Sequence, residues 1–391
     1  MLKKLISWED EVICLPYFYL NYMNVLYKIV TFLITIIFVG CRGNCETDSL
    51  KFKNIQIDVA QKQLDNHFTY ESAAELIVLK SASAKDLIGN VYNVRFNNDL
   101  LYVYDDHQRK IVVYNLKGEP LKVLYRKGRG PGEYQTISSW CIDRDGNLTL
   151  VDNRSNKVIL YDNDFNCIKE MNVDYDIEAI EELSSDKYIL GLAPYNTKCY
   201  KSMQLIVVNK EFKVECVVKH YDKIDENYLF GRTNLIKSGD KILYHRPIDD
   251  YAYAVNPENN ISDLYQFTYE GGKTIPAEYR LDIDYYMTNE MMSSYTSITN
   301  CIMINSKHSF GHFFDKMEYK QFYIDMQGHT HISSLWDNIC GRFVGGTDSI
   351  LISTIDALDI LENKGQSAQL ATILKEDDII LCLYNARDIC Q

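Results

Sequence analysis

The chain has 391 residues, 46% hydrophobic and 24% charged, with a formal net charge of −13. This is ordinary globular composition, and closed all-β folds of this length run as one domain. No basic patch is present to neutralise phosphates, so nucleic acid is excluded as an expected partner. The 30 Tyr against 3 Trp suit strands, and their simplest placement is on sheet surfaces; the other is a platform for stacking carbohydrate.

At the N-terminus, Ile29 to Val39 is an apolar run too short to span a bilayer, which suits a signal-peptide core. Lys28 precedes it, and Phe38-Val-Gly-Cys41 follows. A small residue before Cys resembles a bacterial lipobox, so Cys41 is the expected lipidation site and mature N-terminus. Residues 1–22 carry Glu9, Asp10 and Glu11, unlike a signal n-region, whereas Met23-Asn-Val-Leu-Tyr-Lys28 fits one. Met23 is therefore the expected true start. The chain thus divides into residues 1–40 (extension and signal peptide), 41–53 (tether) and 54–391 (one domain). Of the 11 Cys, none forms a Cys-x-x-Cys or zinc-finger spacing; Cys141, Cys167, Cys216 and Cys382 fall in strand patterns, where free Cys acts as a small apolar residue.

Ile55–Val59 and Leu76–Leu79 read as strands, one of them expected to pair with the end of the chain. Two copies of one pattern follow. Leu101 to Asn115 and Leu148 to Asp162 superpose with Leu101/Leu148, Asp105/Asp152, Lys110/Lys157 and Tyr114/Tyr161 coincident. Each reads as strand, polar turn, strand, with a further apolar run on either side, giving four strands per unit. A four-stranded unit recurring at roughly 40–50 residues is the period of a propeller blade, because stacking around an axis covers the faces that one sheet leaves bare. The copies span 88–125 and 137–173. Between them Arg126-Lys-Gly-Arg-Gly-Pro-Gly-Glu-Tyr134 returns the chain from rim to axis, on the face of the turns Asp105–Arg109 and Asp152–Asn156.

Gly-Arg-Gly-Pro-Gly-Glu-Tyr after a first blade, within a lipoprotein precursor, resembles the bacterial six-bladed β-propeller lipoproteins related to NHL-repeat proteins. The resemblance implies an all-β fold: a six-bladed β-propeller of four-stranded antiparallel blades, closed by pairing of the N- and C-terminal segments. It implies no activity. The family's usual ending, an acidic pair before an apolar strand, is matched by Asp377-Asp378 and Ile379 to Tyr384, without the expected Asn-Pro.

The third unit starts near Ile177, with strands at Asp186–Leu190 and Gln204–Asn209 and a long turn, Ala193–Ser202. The fourth holds Asp240–Tyr244 and Tyr251–Val255, with Leu264–Tyr269 outermost. Residues 273–297 read as an insertion with a helical turn. The fifth covers 298–335. The sixth begins near Ile339 and is interrupted by helical spacing over Ile355–Leu374. The period alone gives about seven blades; the long turns and the resemblance favour six.

Motif chemistry is sparse. The glycine stretch is neither a P-loop nor a dinucleotide fingerprint. It reads as a structural crossover with Glu133 paired to an arginine, or as a small anion nest aided by Arg126, Lys127 and Arg129. Asp105 and Asp152 read as caps of their own turns. In the functional reading the binding face comprises Asp105, Arg109, Arg126, Arg129, Glu133, Asp152, Arg154 and Asn156. His308, His312, His329 and His331 read as exposed hairpin residues rather than zinc ligands. No catalytic residue, metal ligand or cofactor is assigned. The expected function is a monomeric, lipid-anchored module of the cell envelope, at the outer membrane, that binds glycan, peptide or a partner protein. The alternative is a metal-assisted hydrolase or lyase with calcium or zinc at the axis, favoured by three or more Asp, Glu or His side chains converging there.

Overall fold

The computed structural model describes residues 51–59, 72–222, 234–276, 279–281, 293–334, 340–362 and 374–385. Met23, Cys41, the tether up to residue 50 and most of the insertion at 273–297 lie outside these residues. All the strands belong to one unit, Ser49–Gln391.

Strands β1 (Lys51–Asp58) and β2 (Glu75–Val78) precede a series of antiparallel meanders. The first is β3 (Asn93–Asn97), β4 (Leu100–Asp105), β5 (Lys110–Asn115) and β6 (Pro120–Leu124). The second is β7 (Ser139–Ile142), β8 (Leu148–Asp152), β9 (Lys157–Tyr161) and β10 (Cys167–Asn172). The third is β11 (Ile177–Ser184), β12 (Lys187–Leu192), β13 (Met203–Asn209) and β14 (Val214–His220). Next come β15 (Asn234–Ser238), β16 (Lys241–His245), β17 (Tyr251–Val255) and β18 (Ile261–Glu270). They are followed by β19 (Thr296–Ile304), β20 (Ser309–Asp315), β21 (Glu318–Ile324) and β22 (Thr330–Ser334). Last are β23 (Arg342–Gly346), β24 (Ile350–Asp356) and β25 (Ile379–Asn385), with β2 pairing antiparallel on the outer side of β25. The arrangement is all-β and propeller-like.

The two early strands part company. β2 joins the end of the chain, as the sequence predicts. β1 instead adds in parallel to β18, from Lys51 opposite Asp263 to Asp58 opposite Glu270. Leu264–Tyr269 is therefore not outermost, and Lys51 to Lys53 are strand rather than tether. The helical spacing after Ile355 yields one short helix, α1 (Ala357–Glu362); residues 363–373 lie outside the described set.

Each second strand explains the packing. Side chains alternate across a strand, and in β4 both sets are buried. Leu101 and Val103 pack with Val344, Ile352 and Leu381 of the last sheet. Tyr102 and Tyr104 pack with Trp140, Leu148 and Ile159 of the second meander. Further clusters link the second meander to the third (Val151, Val158 with Ile180, Leu190) and the third to the fourth (Leu205, Val207 with Leu235, Ile242). Others link Phe267 with Phe313 and Phe322, and Phe310 with Phe343 and Cys382. Sheets covered on both faces explain why these strands read as continuous apolar runs, each large side chain contributing about 1.5–3 kcal/mol by burial.

The tyrosines depart from the surface reading. Tyr104, Tyr114, Tyr134, Tyr161 and Tyr384 are fully buried. Their rings supply core area while their hydroxyls donate to backbone carbonyls: Tyr114 to Asp86 at 3.1 Å, Tyr161 to Gly132 at 3.0 Å, Tyr384 to Cys340 at 2.9 Å. A buried phenol is tolerated because its O–H finds an acceptor. Cys141 and Cys382 are buried, Cys216 is half-buried and Cys167 is exposed; all four are free thiols.

Candidate functional site

The recurrent residues converge on the crossovers between meanders. Fully buried Asp105 accepts the Gly89 N–H at 2.7 Å and the Gln108 N–H of its own turn at 2.9 Å. Asp152 does not cap its own turn with its side chain: it accepts the N–H groups of Gln135 (2.7 Å) and Thr136 (3.3 Å), which lead into β7. Lys110 is buried and donates to the carbonyls of Lys85 and Leu87; burial lowers its pKa. Lys157 lies 3.1 Å from Glu170, which also accepts the Gly132 N–H at 2.9 Å. Aspartate and tyrosine of each copy thus tie down the segment entering the first strand of their own unit, Lys110 directly and Lys157 through Glu170.

The glycine loop is closed in the same way. Glu133 accepts the Gly130 N–H at 2.8 Å, where an arginine partner was expected. Gly132 alone of its three glycines takes a left-handed angle (φ 68°). Gly128 leaves room for the Glu133 carboxylate, which a Cβ would meet at 1.9 Å. Arg109 and Asn156 occupy equivalent left-handed turn positions (φ 56° and 52°), and Arg109 donates to the Gln135 carbonyl at 3.0 Å. Arg126, Arg129, Arg154 and Asn156 are exposed.

None of these eight residues lines the principal cavity, which has a volume of about 620 Å³. Its wall takes Arg95 from β3, Glu181 from β11, Lys237 from β15, Asn300 from β19 and Arg342 from β23, with Ile142 from β7. It reaches Asp143, Gly239 and Asp348, in turns after first strands, and at the other end Tyr92, Pro247 and Arg342. In a meander the second end carries the β4–β5 type of turn and the crossovers. The cavity therefore reaches the face predicted from sequence, but through other side chains.

The charges there are unevenly matched. Arg95 pairs with the buried Glu181 and lies 5.0 Å from the Trp140 ring centroid. Lys237 is 3.9 Å from Glu182. Arg342 donates to the Val91 carbonyl, yet among the described residues no carboxylate lies within ion-pair distance of it. Burial lowers its pKa. Beside it His312 is 4% exposed, with Nε2 buried and unpartnered. Burial, then the Arg342 charge, pushes that imidazole down to about 3, so it is neutral. Asn93 Oδ1, also in the wall, is buried without a partner. Tyr319 lies against His312, ring centroids 5.6 Å apart, and burial raises its pKa.

His308 and His312 are buried rather than exposed. His329 is exposed and His331 half-buried, 3.1 and 3.6 Å from Asp325. Among the described residues, no group of three or more His, Cys, Asp or Glu is placed to hold a metal ion.

Residues 55–385 match a family model described as Domain of unknown function (DUF4934). The chain belongs to that family. No curated protein matches it. Among solved structures, it is similar to a protein of Bacteroides fragilis NCTC 9343 assigned as exported. The TM-score there is 0.70 at 18% identity, over 86% of this chain and 99% of that one. A member of the DUF4221 family from Bacteroides vulgatus gives a TM-score of 0.53 at 8% identity, over 80% and 97% of the two chains. At these identities the likeness is one of fold, so the chemistry of this DUF4934 chain rests on its own side chains.

Proposed function

We propose that this DUF4934 protein is a six-bladed propeller, anchored in the cell envelope through lipid on Cys41, that binds a small ligand in its axial cavity without chemistry. The blade count is supported by the strand order. The eight-stranded sheet β2-β25-β24-β23-β3-β4-β5-β6 consists of two four-stranded units meeting at one parallel pair, Gly345 with Val94. Those two units, together with the second to fifth meanders, make six. The envelope address rests on the lipobox-like Phe38–Cys41 and agrees with the exported relative of similar fold.

The observation that carries the binding reading is the 620 Å³ cavity walled by first strands from every unit. It lies within the range of about 300–1,000 Å³ typical of small-molecule sites. Its contents favour recognition over catalysis: arginines, amides and aromatic rings line it, and the described acids and histidines form no metal-holding group. The Gly128–Glu133 face is a second candidate surface for a larger glycan, peptide or protein, since Arg129 and Arg154 are exposed there. The test is ligand-observed NMR of the full chain against envelope glycan fragments and short peptides, repeated with Thr299→Trp, which fills the cavity from the wall residue Thr299 of β19. Hits abolished by the tryptophan support the axial site; hits that all survive it overturn that site.

A further inference from the structure

We infer that the cavity recognises the carboxylate of a small polar molecule, and that Arg342 is the group that binds it. This rests on the axial-site reading and adds the ligand's chemistry.

The cavity wall carries an imbalance of charge. Arg342 is the first residue of β23, where the last sheet meets β3, and its guanidinium reaches the Val91 carbonyl across that seam. One backbone acceptor leaves most of its five N–H donors without a partner among the described residues. Of the other cations of the wall, Arg95 has Glu181 and Lys237 has Glu182, whereas Arg144 is exposed to solvent and needs no partner. A partly buried cation lacking a carboxylate costs stability, because desolvation is not offset by attraction.

The neighbours are arranged for the missing anion. His312 is neutral, so it does not repel the guanidinium, and its buried, unpartnered Nε2 is an acceptor suited to a hydroxyl or N–H of the ligand rather than to its carboxylate. Its ring lies between Phe343, stacked at 6.4 Å, and Tyr319 at 5.6 Å, which fixes its orientation. Asn93, two residues beyond Val91, is a second wall residue with an unpartnered buried oxygen, which suits a hydroxyl or N–H on the remainder of the ligand. Tyr92 and Tyr319 supply ring faces at the same end. A carboxylate accepts two parallel N–H bonds from an arginine, and a polar body beyond it meets the amides. An acidic sugar and the C-terminus of a short peptide both present this chemistry.

Calorimetric titration of the full chain in detergent with D-glucuronate, glycylglycine and D-glucose separates these sources. The expected result is binding of at least one carboxylate probe and none of glucose. In Arg342→Gln that binding weakens at least tenfold, as expected for loss of charge-assisted bonds. In Arg342→Lys, which keeps the charge and loses the fork, the loss is smaller. The ligand-free Arg342→Gln chain melts at or above the wild-type temperature, because an unmatched cation has been removed. A merely structural arginine would instead lower the melting temperature. Carboxylates binding no better than glucose, or equally well to Arg342→Gln, overturn the carboxylate inference but leave the axial site standing. Silence from all three probes also overturns it, while survival of probe binding in Thr299→Trp defeats the axial site itself.

Discussion

The crossover into β7 and the seam at β23 carry similar polar residues under opposite rules. At the crossover, Asp152, Glu133 and Tyr161 each find a backbone partner, and Glu170 takes both Lys157 and Gly132. At the seam, among the described residues, Arg342 lacks a carboxylate while His312 Nε2 and Asn93 Oδ1 have no partner. The recurrent polar groups of the crossover are consumed by the fold, whereas Arg342, His312 and Asn93, which have no counterpart in the repeat, face the cavity. On the binding reading proposed above, a ligand completes the unmatched groups at the seam.

The strongest way to break this contrast is at Gly345. A Cβ there would stand 2.1 Å from the Val94 carbonyl oxygen, which forms part of the parallel pair joining first and last units. Backbone cannot yield as a flexible side chain can, so Gly345→Ala is expected to cost roughly 5 kcal/mol. Circular-dichroism melting should show a drop of many degrees; a wild-type melting curve would mean the two units are not held through this seam.

Next is the pH dependence set by His312. Its folded pKa is lowered to about 3, so between that value and its ordinary 6.5 the unfolded chain holds a proton that the folded chain does not. The contribution to stability is full above pH 6.5 and falls as pH drops towards 3. Unfolding free energies from urea titrations at pH 7 and pH 4 should differ by about 3 kcal/mol more in wild type than in His312→Gln, at about 1.4 kcal/mol per pKa unit. Parallel pH curves for the two chains would show that the imidazole is not shielded as described.

The clamps offer the matching test on the other side. Asp152→Ala strands the N–H groups of Gln135 and Thr136 in a partly buried segment, at an expected cost of about 2 kcal/mol. Asp152→Asn keeps an acceptor and should recover about half. Carboxylate binding should be unchanged in both; a loss of affinity as large as that of Arg342→Gln would dissolve the distinction between fold residues and site residues.

These outcomes bear on what could be read from the chain. The meanders were legible because burial on both faces writes long apolar runs, and because Asp105/Asp152, Lys110/Lys157 and Tyr114/Tyr161 repeat one clamp. The tyrosines misled because a strand-forming residue with a polar tip suits a surface and a core alike; only the acceptor, such as Gly132 for Tyr161, decides. The position of β1 was hidden because its partner β18 lies more than 200 residues away in parallel register, where no turn signals the pairing. The cavity was least legible. Its decisive side chains come singly from separate strands, Arg95 from β3, Glu181 from β11, His312 from β20 and Arg342 from β23, so they form no local motif. His312 was visible only as a histidine near another, with nothing to indicate that β20 would bury it.

The smallest expected effect tests the surface that did carry a motif. Arg129 and Arg154 are exposed, and neither has an ion-pair partner among the described residues. Replacing each by alanine should change stability by less than about 0.5 kcal/mol, as for surface positions generally. The informative measurement is therefore binding. Small carboxylates seated at Arg342 should bind Arg129→Ala and Arg154→Ala with wild-type affinity, since neither arginine lines the cavity. A larger ligand spanning the cavity mouth and the crossover face would lose affinity in both variants and in Arg342→Gln together. Loss in the surface variants alone would place recognition on the Gly128–Glu133 face and leave the unmatched guanidinium without a ligand-binding role.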